Sequence, residues 1–162
     1  MCNRFNPNSC SHDVTLTIDP NYGGVAQAAG NQITASATWI RNNPQDTDFL
    51  THEAMHVVQS YPRYEPSWLV EGIADYARWK YGQNNAAGGW SLPEYASNQR
   101  YTDSYRVTAR FLAWCEKRYS SIVNQLDSAL RRNAYQGNTW AQITGGKSLD
   151  QLWFDYSRNP AL

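Results

Sequence analysis

Phe49-Leu50-Thr51-His52-Glu53-Ala54-Met55-His56-Val57-Val58 is the stretch on which the reading of this chain turns. His52 and His56 are four residues apart, so on a helix both imidazoles project from one face, one turn above the other. Two imidazoles at that spacing can take two vertices of a zinc tetrahedron. Glu53 stands beside the first of them, where a carboxylate can reach a metal-bound water without itself binding the metal. By chance alone such a pattern arises in on the order of one chain per few hundred of this size. The plainer alternative is an ordinary helix with two surface histidines. The flanks argue against it: apart from the motif's own residues, every position from Phe49 to Val58 is uncharged. A solvated face would carry Lys and Glu there. Burying two His and a Glu without partners is costly, and a metal would remove that cost.

The surrounding sequence indicates a helix over about 43–60, with Asn43 as N-cap, Pro44 in the first turn, Asp46 and Asp48 near the positive end of the dipole, and Pro62 as the stop. A second helix is expected from about 67 to 80, closed by Gly82. It reads Trp68-Leu69-Val70-Glu71-Gly72-Ile73-Ala74-Asp75-Tyr76. Glu71 and Asp75 are again four apart on one face. A catalytic zinc site needs a third N or O donor and keeps a fourth position for water. It commonly also has a carboxylate orienting a ligand imidazole. Glu71 as ligand and Asp75 as acceptor for His52 supply both, and the small Gly72 and Ala74 would allow close helix approach. The rival reading pairs Glu71 and Asp75 with Arg78 or Lys80. The apolar surroundings of Glu71 favour the metal.

Upstream, residues 1–12 read as an irregular arm. Asp13–Ile18 alternates like a half-buried strand, 20–31 like a loop, and Gln32–Ile40 like a second strand with Ile33, Ala35, Ala37 and Trp39 on one side. Downstream, 83–98 is an Asn-, Ala- and Gly-rich surface excursion. Helices follow at about 103–118 and 120–132, then after Asn138, and from Ser148 to Ser157. Strands first and helices later give an α+β class with helices packed on one small N-terminal sheet.

At 162 residues the chain is expected to be one domain, spanning 1–162. Its net charge is zero, with 14 basic and 14 acidic residues. That excludes the basic field of a nucleic-acid binder, and no apolar run approaches the length of a membrane span. The 11 Tyr and 7 Trp are expected mostly to fill a core and its rim, with a few lining a cleft. The spacing of Cys2 and Cys10 allows a small-loop disulfide in an oxidising compartment, leaving Cys115 free and buried in a helix. Met1 leads straight into Cys2-Asn3-Arg4, which reads as a mature chain with a new start. Thr144-Gly145-Gly146-Lys147-Ser148 is not a phosphate loop, because Ala141 stands where the first Gly is required. Gly145-Gly146 is a helix stop, and Ser148 an N-cap.

His52-Glu53-x-x-His56 followed by Trp68-Leu69-x-Glu71-Gly72-x-Ala74-x-Tyr76 resembles the gluzincin metallopeptidases, in which the downstream Glu is the third zinc ligand. The chain as a whole is similar to the basic secretory protein family of peptidases. That resemblance rests on Gly30-Asn31-Gln32-Ile33, Glu71-Gly72-Ile73-Ala74-Asp75-Tyr76, Tyr105-x-x-Thr108-Ala109-Arg110-Phe111-Leu112, and Leu149-Asp150-Gln151-Leu152-Trp153-x-Asp155-Tyr156, and covers roughly 13–157. Where that family would have Gly before the Tyr of the third block, this chain has Ser104. The resemblance implies a zincin-like fold and a secreted, periplasmic or cell-surface location. It implies a Zn2+ site of His52, His56 and Glu71, with hydrolysis of peptide or protein substrates in which Glu53 is the general base. Tyr105 is the expected oxyanion stabiliser, with Tyr76 and Arg106 behind it, and the strand around Ile33–Thr38 would align an extended peptide by edge pairing. A monomer with no nucleic-acid partner is expected. The alternative is a secreted zinc-containing binding or defence-type protein with little or no peptidase activity. A glycan-active module is more distant, since no carboxylate pair stands out for that chemistry.

Overall fold

The computed structural model describes residues 1–10 and 13–162, so His12 of the N-terminal arm lies outside the described residues. The fold is α+β, as the order of elements in the sequence suggests. The chain divides into two compact units, Met1–Ser60 with Ala77–Ser91, and Tyr61–Tyr76 with Leu92–Leu162.

The first unit opens on a short helix, α1 (Cys2–Phe5), followed by β1 (Thr15–Asp19), β2 (Ala26–Ala29) and β3 (Gln32–Ser36). The arm is therefore less irregular than expected, and the Cys2–Cys10 disulfide closes it, with Cα atoms 5.6 Å apart. The sheet order is β1-β3-β2, with β1 parallel and β2 antiparallel to β3. β2 falls in the segment expected to be a loop. Its sequence, Ala-Gln-Ala-Ala, has little strand preference of its own, and the β3 ladder supplies the pairing. Ala29 pairs with Gln32 across the two-residue turn Gly30-Asn31, and Gly30 takes a φ of +56°, which an L side chain seldom adopts. β3 carries the sheet's buried apolar side chains, Ile33 and Ala35.

The second strand stops earlier than its alternation suggests. Ser36 turns the chain into α2 (Ala37–Asn42), its hydroxyl accepting from the Trp39 amide at 3.2 Å. β1 also departs from expectation: Leu16 and Ile18 are exposed, although they sit in register with the buried Ile33 and Ala35. The next helix, α3 (Phe49–Gln59), packs on β2 and β3, so the apolar face of the outer strand β1 is not covered by it.

α3 starts five residues later than an N-cap at Asn43 would place it. Asp46 and Asp48, expected in its early turns, are engaged elsewhere. Asp46 accepts from Trp39 Nε1 at 3.1 Å and from Arg78 Nη2 at 2.5 Å, while Asp48 accepts from the Asn84 amide at 2.5 Å. Those bonds hold 43–48 as a turn and leave Asp48 as the N-cap position. At the other end Ser60 takes φ +43° and closes the helix before Pro62. α3 is buried around most of its circumference, through Phe49, His52, Glu53, Met55, Val57, Val58 and Gln59, which accounts for its lack of charged flanks.

α4 (Ser67–Tyr81) contributes 67–76 to the second unit and 77–81 to the first. In the first unit Arg78 lies under the Trp90 ring and bonds Asn85, which fastens the 83–91 excursion down. The rest of the second unit is helical: a 3₁₀ turn at Tyr101–Asp103, then α5 (Tyr105–Arg118), α6 (Ile122–Arg131), α7 (Thr139–Thr144) and α8 (Leu149–Arg158). Its core is aromatic. Phe111 stacks near Trp114 and Trp140 at 6.2 and 5.8 Å and meets Trp153 and Tyr156 at 5.2 and 5.5 Å. The polar tips find partners, Trp114 Nε1 on the Asn159 carbonyl and Trp140 Nε1 on the Tyr135 hydroxyl. These rings are thus structural, and Cys115, buried in α5, is a free thiol. Ser148 caps α8 with a reciprocal Gln151 contact, and Gly145 ends α7 at φ +73°.

Candidate metal centre

His52 and His56 both arise from α3, and the helical repeat brings their rings edge to face with centroids 4.7 Å apart. Their Nε2 atoms stand 3.0 Å from each other. Nδ1 of His56 lies 2.7 Å from Oε1 of Gln59, three residues further along the same helix. A carbonyl oxygen can only accept, so this contact favours the tautomer with the proton on Nδ1, in which Nε2 presents a lone pair toward His52.

α4 brings the third donor. A carboxylate oxygen of Glu71 and one ring nitrogen from each of His52 and His56 all lie within 4.8 Å of one another. Nitrogens on neighbouring vertices of a zinc tetrahedron, at the usual bond length, stand about 3.3 Å apart. The observed spacing fits one ion, and a set of two imidazoles and one carboxylate suits a divalent transition metal. The three residues could hold a metal ion. His52 and Glu71 are buried and His56 is partly exposed.

Glu53 and Asp75, both buried, lie outside this three-residue group. Asp75 follows Glu71 by one helical turn. Arg78, a rival partner for these two acids, makes its ion pair with Asp46. In the second unit the space left by Gly72 is taken by Thr108 of α5: a Cβ on residue 72 would sit 2.2 Å from Thr108 Cγ2. Gly72 therefore serves the α4–α5 contact. Tyr105 opens α5 and is 53% exposed, whereas Tyr76 is fully buried and Arg106 exposed. Both Ser104 and Tyr105 have positive φ, +66° and +44°. Ser104, with ψ −177°, occupies a region almost reserved for glycine, which is the residue expected at that place.

Gln59 is the residue that reading the sequence for ligands passes over. Its signal is position alone, three residues after His56 and on the same helix.

An α+β fold with a His-x-x-x-His helix and a carboxylate donor from a second helix defines a protein with a candidate mononuclear metal centre. A family model described as BSP, peptidase of plants and bacteria, matches residues 5–156, and the chain belongs to that family. No curated protein matches the chain. No solved structure does so either.

Proposed function

We propose that this protein is a secreted zinc-dependent metallopeptidase, with zinc held by His52, His56 and Glu71. The observation that carries the reading is the convergence of these three donors within 4.8 Å in a chain of a peptidase family. Zinc bound there would supply a Lewis acid and bring the pKa of a bound water toward neutrality.

The chain's own residues divide the remaining work. Gln59 keeps the His56 proton on Nδ1, so that Nε2 is available as a ligand. Asp75 does the same for His52. Glu53, next in sequence to a ligand and not a ligand itself, takes a proton from the attacking water and returns it to the leaving amine. Tyr105, exposed at the start of α5, donates its hydroxyl to the oxyanion that develops. Tyr76 is too deeply buried to be offered to a substrate.

The strand expected to pair with substrate requires a correction. β3 is central, with both its edges taken by β1 and β2. β2, an edge strand packed on α3, is the place for an extended peptide to add by backbone pairing.

The test is Glu53→Ala. The variant is expected to bind one zinc per chain as the unaltered protein does, while hydrolysis of a peptide library falls by at least a hundredfold. Undiminished hydrolysis would rule the mechanism out. Zinc binding without cleavage of any peptide by the unaltered protein would favour a binding protein instead.

A further inference from the structure

We infer that the Cys2–Cys10 loop is a redox-sensitive clamp on the metal helix, which acts through Asn6 to hold the last turn of α3, and with it His56, in ligating geometry. The inference rests on the reading that His52, His56 and Glu71 bind a metal.

The last turn of a helix is its weakest part, because its final carbonyls have no amide partner within the helix. In α3 that turn runs through His56 and Gln59, the ligand and the residue that orients it. The Ser60 amide closes on the His56 carbonyl at 3.2 Å. The Val58 carbonyl is taken from 52 residues away, by Asn6 Nδ2 at 3.1 Å. Asn6 is only 5% exposed, an uncommon burial for an asparagine.

Asn6 is held at that carbonyl by the cystine loop. Cys2 and Cys10 lie four residues to either side of it. The Asn6 amide donates to the Cys2 carbonyl at 2.9 Å, and the Asn6 carbonyl accepts from the Cys10 amide at 3.1 Å. Phe5, beside Asn6, is buried, and Arg4 reaches the Tyr81 hydroxyl at 3.2 Å. A four-residue helix does not persist alone. The disulfide removes much of the disorder the arm would gain on release. When the bond is cut, the arm frays, Asn6 withdraws, and the turn carrying Gln59 loosens, so that His56 loses its fixed orientation. Metal affinity is then full where disulfides persist and reduced where thiols do.

The experiment measures the Zn2+ dissociation constant by competition with a chromophoric chelator, and the d–d absorption of bound Co2+ as a signature of ligand geometry. Three samples are compared with the untreated protein. One is the native chain reduced with a water-soluble phosphine, which with one water converts the disulfide to two thiols and itself becomes the phosphine oxide. The second is Asn6→Asp, which keeps the disulfide and the shape but replaces the donor amide by an acceptor. The third is Trp140→Phe, a destabilised control in the aromatic core. Hydrogen exchange of the α3 amides is read on all of them without metal.

The expected result is a zinc constant weaker by roughly tenfold in the reduced and Asn6→Asp proteins, with an altered Co2+ spectrum. Exchange should also speed up in the last turn of α3, with neither change in the control. Equal zinc affinity in all samples overturns the clamp, as does an equal loss in the control. If the untreated protein binds neither ion, the metal reading itself fails, and unaltered exchange at the end of α3 would separately remove the role of Asn6.

Discussion

Nδ1 of His56 stands 2.7 Å from Oε1 of Gln59, and this contact decides which nitrogen of His56 faces Nε2 of His52. Gln59 is 2% exposed, and a buried carbonyl acceptor at this distance favours the proton on Nδ1, which leaves Nε2 to ligate. A substitution at residue 59 therefore acts on the metal through the histidine. Gln59→Ala is expected to weaken zinc binding by about tenfold, and Gln59→Glu, which keeps an acceptor in place, to retain it. A chelator competition titration on the two variants checks this. Equal loss in both would mean that the acceptor is not what matters.

The closeness of α4 and α5 at Gly72 predicts a steric effect. Gly72→Ala drives a methyl into Thr108, whose Cγ2 and Cβ would lie 2.2 and 2.6 Å from it. Thr108 cannot retreat without giving up its bond to the Tyr101 carbonyl at 2.6 Å. The expected cost is about 1–3 kcal/mol in urea denaturation. Adding Thr108→Ser removes Cγ2 and keeps the hydroxyl, so the double variant should recover part of that loss.

Ser104 offers the opposite sign. A side chain held at φ +66° and ψ −177° is strained, and glycine is not. Ser104→Gly is expected to stabilise the chain by about 1 kcal/mol, a rise of roughly 2–4 °C in melting temperature. Scanning calorimetry decides it, and a lowered melting temperature would show that the Ser104 side chain contributes more than its backbone costs.

Alkaline pH should weaken the fold. Burial pushes the Cys115 thiol well above its ordinary 9.0, and it raises the Tyr135 and Tyr156 phenols above 10.0. At a pH where the unfolded chain has released these protons, the native state still holds them. Their contribution is fully present below the ordinary values and is lost as pH climbs through the raised ones. Thermal melts are expected to stay level from about pH 7 to 8.5 and to fall above about 9. Cys115→Ala should move the onset toward the phenol range. For the same reason Cys115 should resist alkylation in the native protein at pH 8, where denatured chain reacts readily.

Much of this architecture is legible locally. The spacing of His52 and His56 puts both on one face of any helix they occupy, and the same repeat pairs Glu71 with Asp75. Ser148, Gly145 and Gly82 mark helix ends through bonds or dihedrals that involve only near neighbours. Where the reading failed, a distant partner had intervened. Asn43-Pro44 has the form of a helix start, yet α3 begins at Phe49 because Arg78 and Asn84 draw Asp46 and Asp48 away. β2 has no strand signal in Ala26–Ala29 and exists because β3 offers it a ladder.

The sequence by itself determined the donor set: which residues could be ligands, which carboxylate stands beside them, and which family the chain joins. Those properties depend on residue type and on spacing along each helix, and both survive without a fold. Only the tertiary structure decided the rest. It brought Glu71 of α4 within reach of the two histidines of α3, and it set Nδ1 of His56 against Oε1 of Gln59. It also made β3 the central strand and β2 an edge, and carried Asn6 to the Val58 carbonyl 52 residues on. Each of these is a contact between segments whose separation the local sequence does not encode, fixed by burial and by the need to satisfy buried polar groups.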